Sequence, residues 1–357
     1  ENLYPKVCDF GFARASIDLE KVTKRVGSPI YMAPELYNVD LNMHTYDVNT
    51  YSFGIILYQI LAEVKSSNIY PDCNDMNLMN LKFSNYIPEL PDDLHDVFKY
   101  LIKSCWSTLI DERPDPQTIY NILIQEFNSS VPLLPNVDKA EVEKYIRKLE
   151  FYQEGLKDRN MFDEIRYLMH LLKYNDPIAP YQLCSIFYEG KFISNNFEKT
   201  EMVAQGEIGE IHIFENEKTK EKIAGKILYV SIHNYFERKA IQILTNLSIA
   251  LQINHSCICR YLGFFPCGYN EQKYPIIFNE YMKNGSLYDI INKKSVDGWN
   301  DTKKLINIYG IALGMSYLHS HDILHQDLNT GNILEDDKFY PKINNYCISN
   351  IFNTTQT

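Results

Sequence analysis

The chain has 357 residues, of which 45% are apolar and 13% aromatic, a composition that suits a folded protein of two domains or one large two-lobed domain. The formal net charge of −11 argues against a nucleic-acid-binding role, because nucleic acids are themselves negatively charged. The eight cysteines include no C-x-x-C pair, which disfavours a disulfide framework or a zinc site and favours the reducing cytoplasm. No signal peptide and no membrane-length apolar run is visible, so we expect no membrane partner.

The first 128 residues carry three motifs in a fixed order. An apolar run ends in Asp9-Phe10-Gly11, residues 27–35 read G-S-P-I-Y-M-A-P-E, and Arg113 follows Trp106 near the end of the segment. Singly, Arg113 could be an exposed charge and Trp106 ordinary core, but the ordered set resembles the rear part of a protein kinase large lobe. The resemblance implies that Asp9 binds magnesium and that Arg113 forms a buried ion pair with Glu35.

The middle segment, 129–196, separates two regions of different pattern. Two prolines between 129 and 138 indicate a linker, and the apolar spacing from 139 to 193 predicts helices. Residues 179–190 resemble one Sel-type tetratricopeptide-like repeat. A connecting helical hairpin is the preferred alternative, because a single repeat cannot bury its own apolar face.

The last segment, 197–357, resembles a kinase small lobe followed by the front of a large lobe. Residues 204–211 read A-Q-G-E-I-G-E-I, a form similar to the Gly-rich loop, although an ordinary hairpin turn has the same composition. Residues 223–226 read I-A-G-K, and 276–287 match the hinge, with Asn279 as gatekeeper. The resemblance implies that ATP is held by Gly206, Gly209, Ala224, Lys226, Glu280 and Met282.

A protein kinase needs an acidic residue on the helix after the lysine strand, to pair with Lys226. Alignment places Asn246 there, and a gapped alternative places Ala240 there, so neither candidate is acidic. Glu237 lies near the gapped position and is a possible substitute.

The catalytic loop is the most specific motif. Residues 325–332 read H-Q-D-L-N-T-G-N, which resembles the kinase pattern H-R-D-x-x-x-x-N. The resemblance makes Asp327, Lys226 and Asn332 the catalytic residues, with Asp327 accepting the proton of the acceptor hydroxyl. The metal ligands it implies are Asn332, Asn345 and, in the first segment, Asp9.

Three departures from the kinase pattern weaken the second segment as an enzyme. Asn345 replaces the aspartate that chelates magnesium, and a neutral amide is the poorer ligand. Asn329 replaces the lysine that contacts phosphate in Ser/Thr kinases, and Gln326 replaces the arginine that reads a phosphorylated activation loop.

The two ends of the chain repeat the same part of the fold. Residues 4–11 and 340–347 both begin Y-P-K and both occupy the magnesium-loop position. A circularly permuted single kinase would need one such loop, so we favour two incomplete units from a longer tandem-kinase protein. The two units could still dock, because each lacks what the other has.

The sequence therefore predicts an α+β, protein-kinase-like fold with a β-rich small lobe and a mainly helical large lobe. Its units are 1–128, the linker and helical segment 129–196, and 197–357. The predicted function is ATP- and Mg²⁺-dependent phosphoryl transfer to protein Ser or Thr, with Tyr left open, within the tyrosine-kinase-like group. The alternative is a pseudokinase module that regulates a partner kinase without catalysis.

Overall fold

We describe a computed structural model of the chain, which defines residues 28–37, 46–70, 75–129, 131–155, 197–206, 209–229, 250, 253–265, 276–293, 295–321, 323–325 and 327–346. Several predicted features lie outside these ranges: Asp9, the Sel-type repeat at 179–190, Glu237, Ala240, Asn246 and Gln326.

The regular secondary structure described before residue 156 is all helical. Two 3₁₀ turns, Pro34–Tyr37 and Ile110–Glu112, accompany the helices α1 (Asp47–Ala62), α2 (Ser66–Ile69), α3 (Asp75–Phe83), α4 (Asp96–Cys105), α5 (Pro116–Phe127) and α6 (Lys139–Gly155). Helix α1 is buried on every side from Val48 to Ile60, which explains why its sequence shows no polar face. Helix α5 begins where the Asp115 side chain accepts from Thr118 N, with Pro116 in the first turn.

The small lobe is a five-stranded antiparallel sheet of β1 (Phe197–Gly206), β2 (Gly209–Asn216), β3 (Lys222–Leu228), β4 (Tyr261–Phe265) and β5 (Ile276–Glu280). The strands lie in the order β1-β2-β3-β5-β4. A small apolar cluster, centred on Phe214 and Phe278, packs on this sheet. The β-rich small lobe predicted from the sequence is therefore present.

The chain then enters the large lobe. Helices α7 (Leu287–Asn292) and α8 (Asp301–Ser320) are followed by the 3₁₀ turn Thr330–Asn332 and by a two-stranded sheet of β6 (Ile333–Glu335) and β7 (Pro341–Ile343). Helix α7 begins in a capping box between Ser286 and Asp289. Among the described residues, none of the helices has both the length and the apolar character needed to cross a membrane.

One large apolar core joins the first and last segments of the chain. It contains Phe53 and Trp106 from the first segment together with Tyr309 and Ile343 from the last, all of them buried. Such a core makes the two segments one packed lobe, since each contributes apolar surface that the other covers.

Polar contacts fix how the two segments meet. The Tyr309 hydroxyl on α8 donates to the Leu123 carbonyl on α5 at 2.7 Å. On α1, Asn49 Nδ2 lies 3.0 Å from His319 Nε2. The two incomplete units therefore dock on each other, while their origin in a longer tandem protein stays a prediction.

Candidate active site

A buried histidine holds the start of the catalytic loop. His325 Nε2 donates to the Asn344 carbonyl at 2.8 Å, and its Nδ1 accepts from Asp327 N at 3.3 Å. Burial lowers the pKa of His325 to about 4, so the ring is neutral at pH 7. The neutral ring has one donor and one acceptor, and both are used here.

The carboxylate of Asp327 accepts hydrogen bonds at both oxygens. Asn329 Nδ2 donates to Oδ1 at 2.9 Å, and Asn332 Nδ2 donates to Oδ2 at 3.0 Å. The backbone N–H of Ser28, from the first segment, also donates to Oδ1 at 3.1 Å. The structure therefore brings Asp327 and Asn332 together, and N–H donors from three residues surround the Asp327 carboxylate.

The side-chain amides of Asn332 and Asn345, the two predicted metal ligands of the last segment, bond to each other. Because Asn332 Nδ2 is directed at Asp327, its Oδ1 faces the opposite way and accepts from Asn345 Nδ2 at 2.7 Å. Asn345 has a φ of 63°, a left-handed conformation that Asn tolerates better than most residues. The two side chains predicted to bind magnesium therefore meet, but they bind each other.

Magnesium fits this arrangement poorly. It prefers a near-octahedral set of oxygens with carboxylate charge, whereas Asn332 and Asn345 are neutral and the Asp327 oxygens already accept from N–H groups. No cluster of three or more histidine, cysteine or acidic residues suited to a metal ion occurs within the described ranges. Asp9, the remaining predicted ligand, is outside them.

Lys226 is a buried cation in the wall of the cleft. It lies on β3 opposite Ile277 of β5, with 8% of the residue exposed. Burial lowers the pKa of Lys226 to about 8, and the nearby negative charge of Asp327 partly opposes this shift. The ammonium is thus charged at pH 7 and positioned to contact an anionic group in the cleft.

The predicted Gly-rich loop is the hairpin between β1 and β2. Gly206 and Gly209 face each other across it, and a side chain at Gly209 would collide with the Ile227 carbonyl. Gly209 is therefore required for close packing of the strands. Residues 207 and 208, at the tip, lie outside the described ranges.

The hinge follows β5. The Glu280 N–H donates to the Arg260 carbonyl at 3.0 Å, and its side chain accepts from Lys342 Nζ at 2.9 Å, so this strand end is firmly held. Met282, almost buried, lies two residues further on. Asn279, the predicted gatekeeper, donates from Nδ2 to Asn344 Oδ1 at 3.1 Å and so connects the small lobe to the magnesium-loop position.

These elements enclose a cleft of about 320 Å³, within the usual range for small-ligand sites. Apolar groups from the sheet and the hinge form much of its wall. Of the predicted ATP-binding residues, Ala224, Lys226, Glu280 and Met282 line it. Asn345 and Gly331 of the catalytic loop line it as well.

Residues 28–35 of the G-S-P-I-Y-M-A-P-E motif pack beside the catalytic loop. The motif resembles the substrate-docking segment that closes a kinase activation loop, so we call these residues the docking segment. The Tyr31 hydroxyl lies 2.8 Å from Thr330 Oγ1 and donates to Gln59 Oε1 at 2.5 Å. Lys82 Nζ holds the backbone on either side of Tyr31, since it donates to the carbonyls of Ile30 and Met32, each at 2.7 Å. Sequence reasoning did not identify Lys82, because an isolated lysine in a helix is usually exposed.

The predicted ion pair beneath this segment is present. Arg113 Nη1 and Nη2 donate to Glu35 Oε1 and Oε2 at 2.5 and 2.8 Å, and the Arg113 side chain is fully buried. A bidentate pair fixes both position and angle, so it holds the docking segment against the large lobe.

Ser28 and Asn344 are site residues that the sequence reading missed. Ser28 reaches Asp327 across 299 positions of sequence, which no local pattern reveals. Asn344 directly precedes Asn345, so its place beside the site could have been inferred from adjacency, whereas its bond to Asn279 could not.

Comparison with known families agrees with this geometry. The family described as the protein kinase domain matches residues 1–124 and 197–357, well over half of the chain. The dual specificity protein kinase pyk3 of Dictyostelium discoideum is 25% identical over 319 residues, which cover 87% of this chain and 20% of that protein.

Two further relatives match shorter parts. A probable inactive serine/threonine-protein kinase of Dictyostelium discoideum is 32% identical over 130 residues, 36% of this chain and 6% of that protein. Wall-associated receptor kinase-like 20 of Arabidopsis thaliana is 28% identical over 170 residues, 46% of this chain and 24% of that protein. The chain spans a quarter or less of each of these three proteins, and its kinase match covers both of its docked segments. The chain belongs to the protein kinase family.

Proposed function

We propose that the described unit is a pseudokinase module, which binds an adenine nucleotide in its cleft without requiring magnesium and regulates a partner kinase. The observation that carries this proposal is the 2.7 Å bond from Asn345 Nδ2 to Asn332 Oδ1. It occupies the oxygen through which Asn332 would hold a cation, and it leaves no charge at the second ligand position.

The charge balance of phosphoryl transfer supports the same conclusion. The transferring group carries several negative charges, and kinases neutralise them with metal ions held by carboxylate and amide oxygens. The charged residues that line the described cleft are Lys226 and Lys283 together with Glu201, Glu280 and Asp289, and Asn329 takes the place of a further lysine. Binding of a nucleotide requires less neutralisation than transfer of its phosphoryl group, so binding is the activity that this cleft retains.

Nucleotide binding would give the module a regulatory use. A ligand in the cleft touches both the sheet and the catalytic loop, so it stabilises one arrangement of the two lobes. A partner kinase that contacts this arrangement would then sense the nucleotide. One relative is described as a probable inactive serine/threonine-protein kinase, which accords with such a role.

Phosphoryl transfer to protein Ser or Thr is the second candidate function. It is favoured by Asp327, which lies against the docking segment through Ser28 N, and by Lys226 in the cleft wall, which is near enough to Asp327 for the two charges to interact. In this alternative Asp327 accepts the proton of the acceptor hydroxyl. The relative described as a dual specificity kinase accords with this candidate.

Two measurements on one preparation separate the candidates. Thermal unfolding is followed as ATP is added, with Mg²⁺ and with EDTA, and transfer of labelled γ-phosphate to a generic protein substrate is measured in parallel. We expect similar ATP-dependent shifts with and without Mg²⁺, and no transfer above that of Asp327→Asn. Absence of any shift would contradict nucleotide binding. Transfer that disappears in Asp327→Asn would establish the second candidate instead.

A further inference from the structure

Helix α6 lies outside both segments that match the kinase family, yet it is part of the large-lobe core. Val142, Tyr145, Ile146 and Leu149 are all buried, at the i, i+3, i+4, i+7 spacing of one helix face. Its opposite face carries Glu143 and Arg147, an exposed pair 3.0 Å apart. Helix α6 is therefore an amphipathic helix docked on a surface, rather than a free linker.

The surface beneath α6 belongs to the last segment of the chain. Gly310 on α8 leaves the space that the Tyr145 hydroxyl fills, and a side chain there would collide with both Tyr145 and Pro341. The Tyr145 ring lies 4.7 Å from the ring of Tyr340, which precedes β7. The docking surface, formed by α8, β7 and the loop 255–259, is thus shaped for this helix.

Polar contacts fix the register of α6 on this surface. Glu141 forms an ion pair with Lys303 of α8 and accepts from the Tyr340 hydroxyl at 3.2 Å. Just before the helix, Asp138 N donates to Thr302 Oγ1 at 2.8 Å. The buried apolar face and these three contacts together define a single docked position.

A continuous set of bonds leads from α6 to the cleft. The Tyr145 hydroxyl lies 3.4 Å from Cys257 Sγ, and the Cys257 carbonyl accepts from Ile343 N at 2.8 Å. Ile343 also accepts, through its carbonyl, from Cys259 N at 2.8 Å. The next residue, Asn344, bonds the gatekeeper Asn279, and Asn345 follows it.

We propose that the surface of α8, β7 and the loop 255–259 is a docking site for α6, and that docking of this helix is coupled to nucleotide binding in the cleft. The coupling passes through β7, whose position sets both Asn344 and Asn345. Coupling between two sites is reciprocal, so a bound nucleotide must also stabilise the docked helix. The nucleotide half of the inference rests on the proposed function.

Hydrogen–deuterium exchange on the full chain tests the docking. Tyr145→Leu removes the ring contact and the hydroxyl, and Glu141→Gln breaks the ion pair while leaving the apolar face intact. Glu143→Gln is the matched control, because it removes the same charge from the exposed face of the same helix. We expect faster exchange at 341–346 in both test variants, larger for Tyr145→Leu, and wild-type exchange in the control.

Calorimetric titration with ATP tests the coupling. We expect the Kd to rise by about threefold to tenfold in Tyr145→Leu, a size typical of substitutions along a coupling path, and to be unchanged in Glu143→Gln. We also expect ATP to slow exchange at 139–149 in the wild type. If Tyr145→Leu fails to fold, Glu141→Gln provides the same test, and we expect its Kd for ATP to rise by a smaller factor.

Two results would overturn the inference. One is that residues 341–346 exchange at the wild-type rate in both Glu141→Gln and Tyr145→Leu, even though α6 exchanges faster in these variants than in the wild type. The other is an unchanged Kd in both variants. If the wild type binds no ATP, the proposed function fails, and the exchange at 341–346 still decides whether α6 holds the strand that leads into the cleft.

Discussion

Two polar clusters flank the catalytic loop, one a buried ion pair and the other a half-buried pair of neutral amides. Under the docking segment, Glu35 and Arg113 keep a bidentate ion pair with almost no exposed side-chain surface. At the cleft, Asn332 and Asn345 meet as neutral amides in a region where active kinases hold a metal with a carboxylate. The first cluster joins two parts of the fold, whereas the second would be needed for catalysis.

The difference shows which role each cluster serves. A buried ion pair that loses one partner leaves an uncompensated charge. Substitution of either Glu35 or Arg113 alone therefore lowers the free energy of unfolding. An aspartate at position 345 has no such structural partner, and an amide there gains a hydrogen bond to Asn332. Fold maintenance thus explains the first cluster, and under the proposed function a relaxed demand for metal binding explains the second.

Removing one side of the buried ion pair should have the largest effect. Arg113→Met leaves the Glu35 carboxylate without its partner, and we expect a loss of about 3–5 kcal/mol in the free energy of unfolding. Urea unfolding followed by circular dichroism measures it.

The matched control is Arg147→Met, which breaks an ion pair on the exposed face of α6, where 72% of the Arg147 side chain is accessible. We expect it to cost less than about 0.5 kcal/mol. Equal losses in the two variants would mean that the buried pair does not support the fold.

Removing the cleft cation should have the next largest effect. Lys226→Met deletes the buried charged donor in the cleft wall, and we expect ATP binding to weaken about 30-fold, the equivalent of a charge-assisted hydrogen bond of ~2 kcal/mol. Calorimetric titration of the two proteins gives the ratio. Lys222→Met, on the same strand but with 48% of its side chain exposed, should bind ATP as the wild type does.

Restoring a carboxylate at position 345 tests whether the neutral amide cluster lacks only the charge needed to bind Mg²⁺. In Asn345→Asp an anionic oxygen faces Asn332, and we expect Mg²⁺ to raise ATP affinity by about tenfold, ~1.4 kcal/mol, where it has little effect on the wild type. ATP titrations with Mg²⁺ and with EDTA measure this gain.

Asn344→Asp is the control for the restored charge. It adds the same charge one position earlier, where the side-chain oxygen accepts from Asn279. A similar gain from Asn344→Asp would show that general charge, rather than the ligand position at 345, controls the metal.

The smallest predicted effect is a dependence of affinity on pH. Burial sets the Lys226 pKa at about 8, so the lysine is charged below that pH and loses its proton as the pH rises through it. Because phosphate binds the charged form, we expect ATP affinity to fall about fourfold from pH 7 to pH 8.5. Affinity that stays flat over this range in the wild type, or that falls equally in Lys226→Met, would contradict this role.

Much of the cleft could be predicted from the sequence because its parts are local motifs. The spacing of Gly209, Lys226 and Met282 defines a hairpin, a strand and a hinge, and the structure places all three where the motifs indicate. The ion pair between Glu35 and Arg113 was also predictable, although 78 positions separate them, because both belong to segments with family-like patterns. Lys82 was not, since nothing local indicates burial of a lysine.

The amino-acid sequence by itself determined the family, the lobes and the side chains at the metal positions, because these depend on residue identity and short spacing. Only the tertiary structure decided how those side chains are used. Three features carry no local sequence signal: the bond between Asn345 and Asn332, the contact of Ser28 with Asp327, and the docking of α6 on α8 and the loop 255–259. Such contacts arise when the apolar faces of the two segments close around one core, and that closure fixes which polar groups meet.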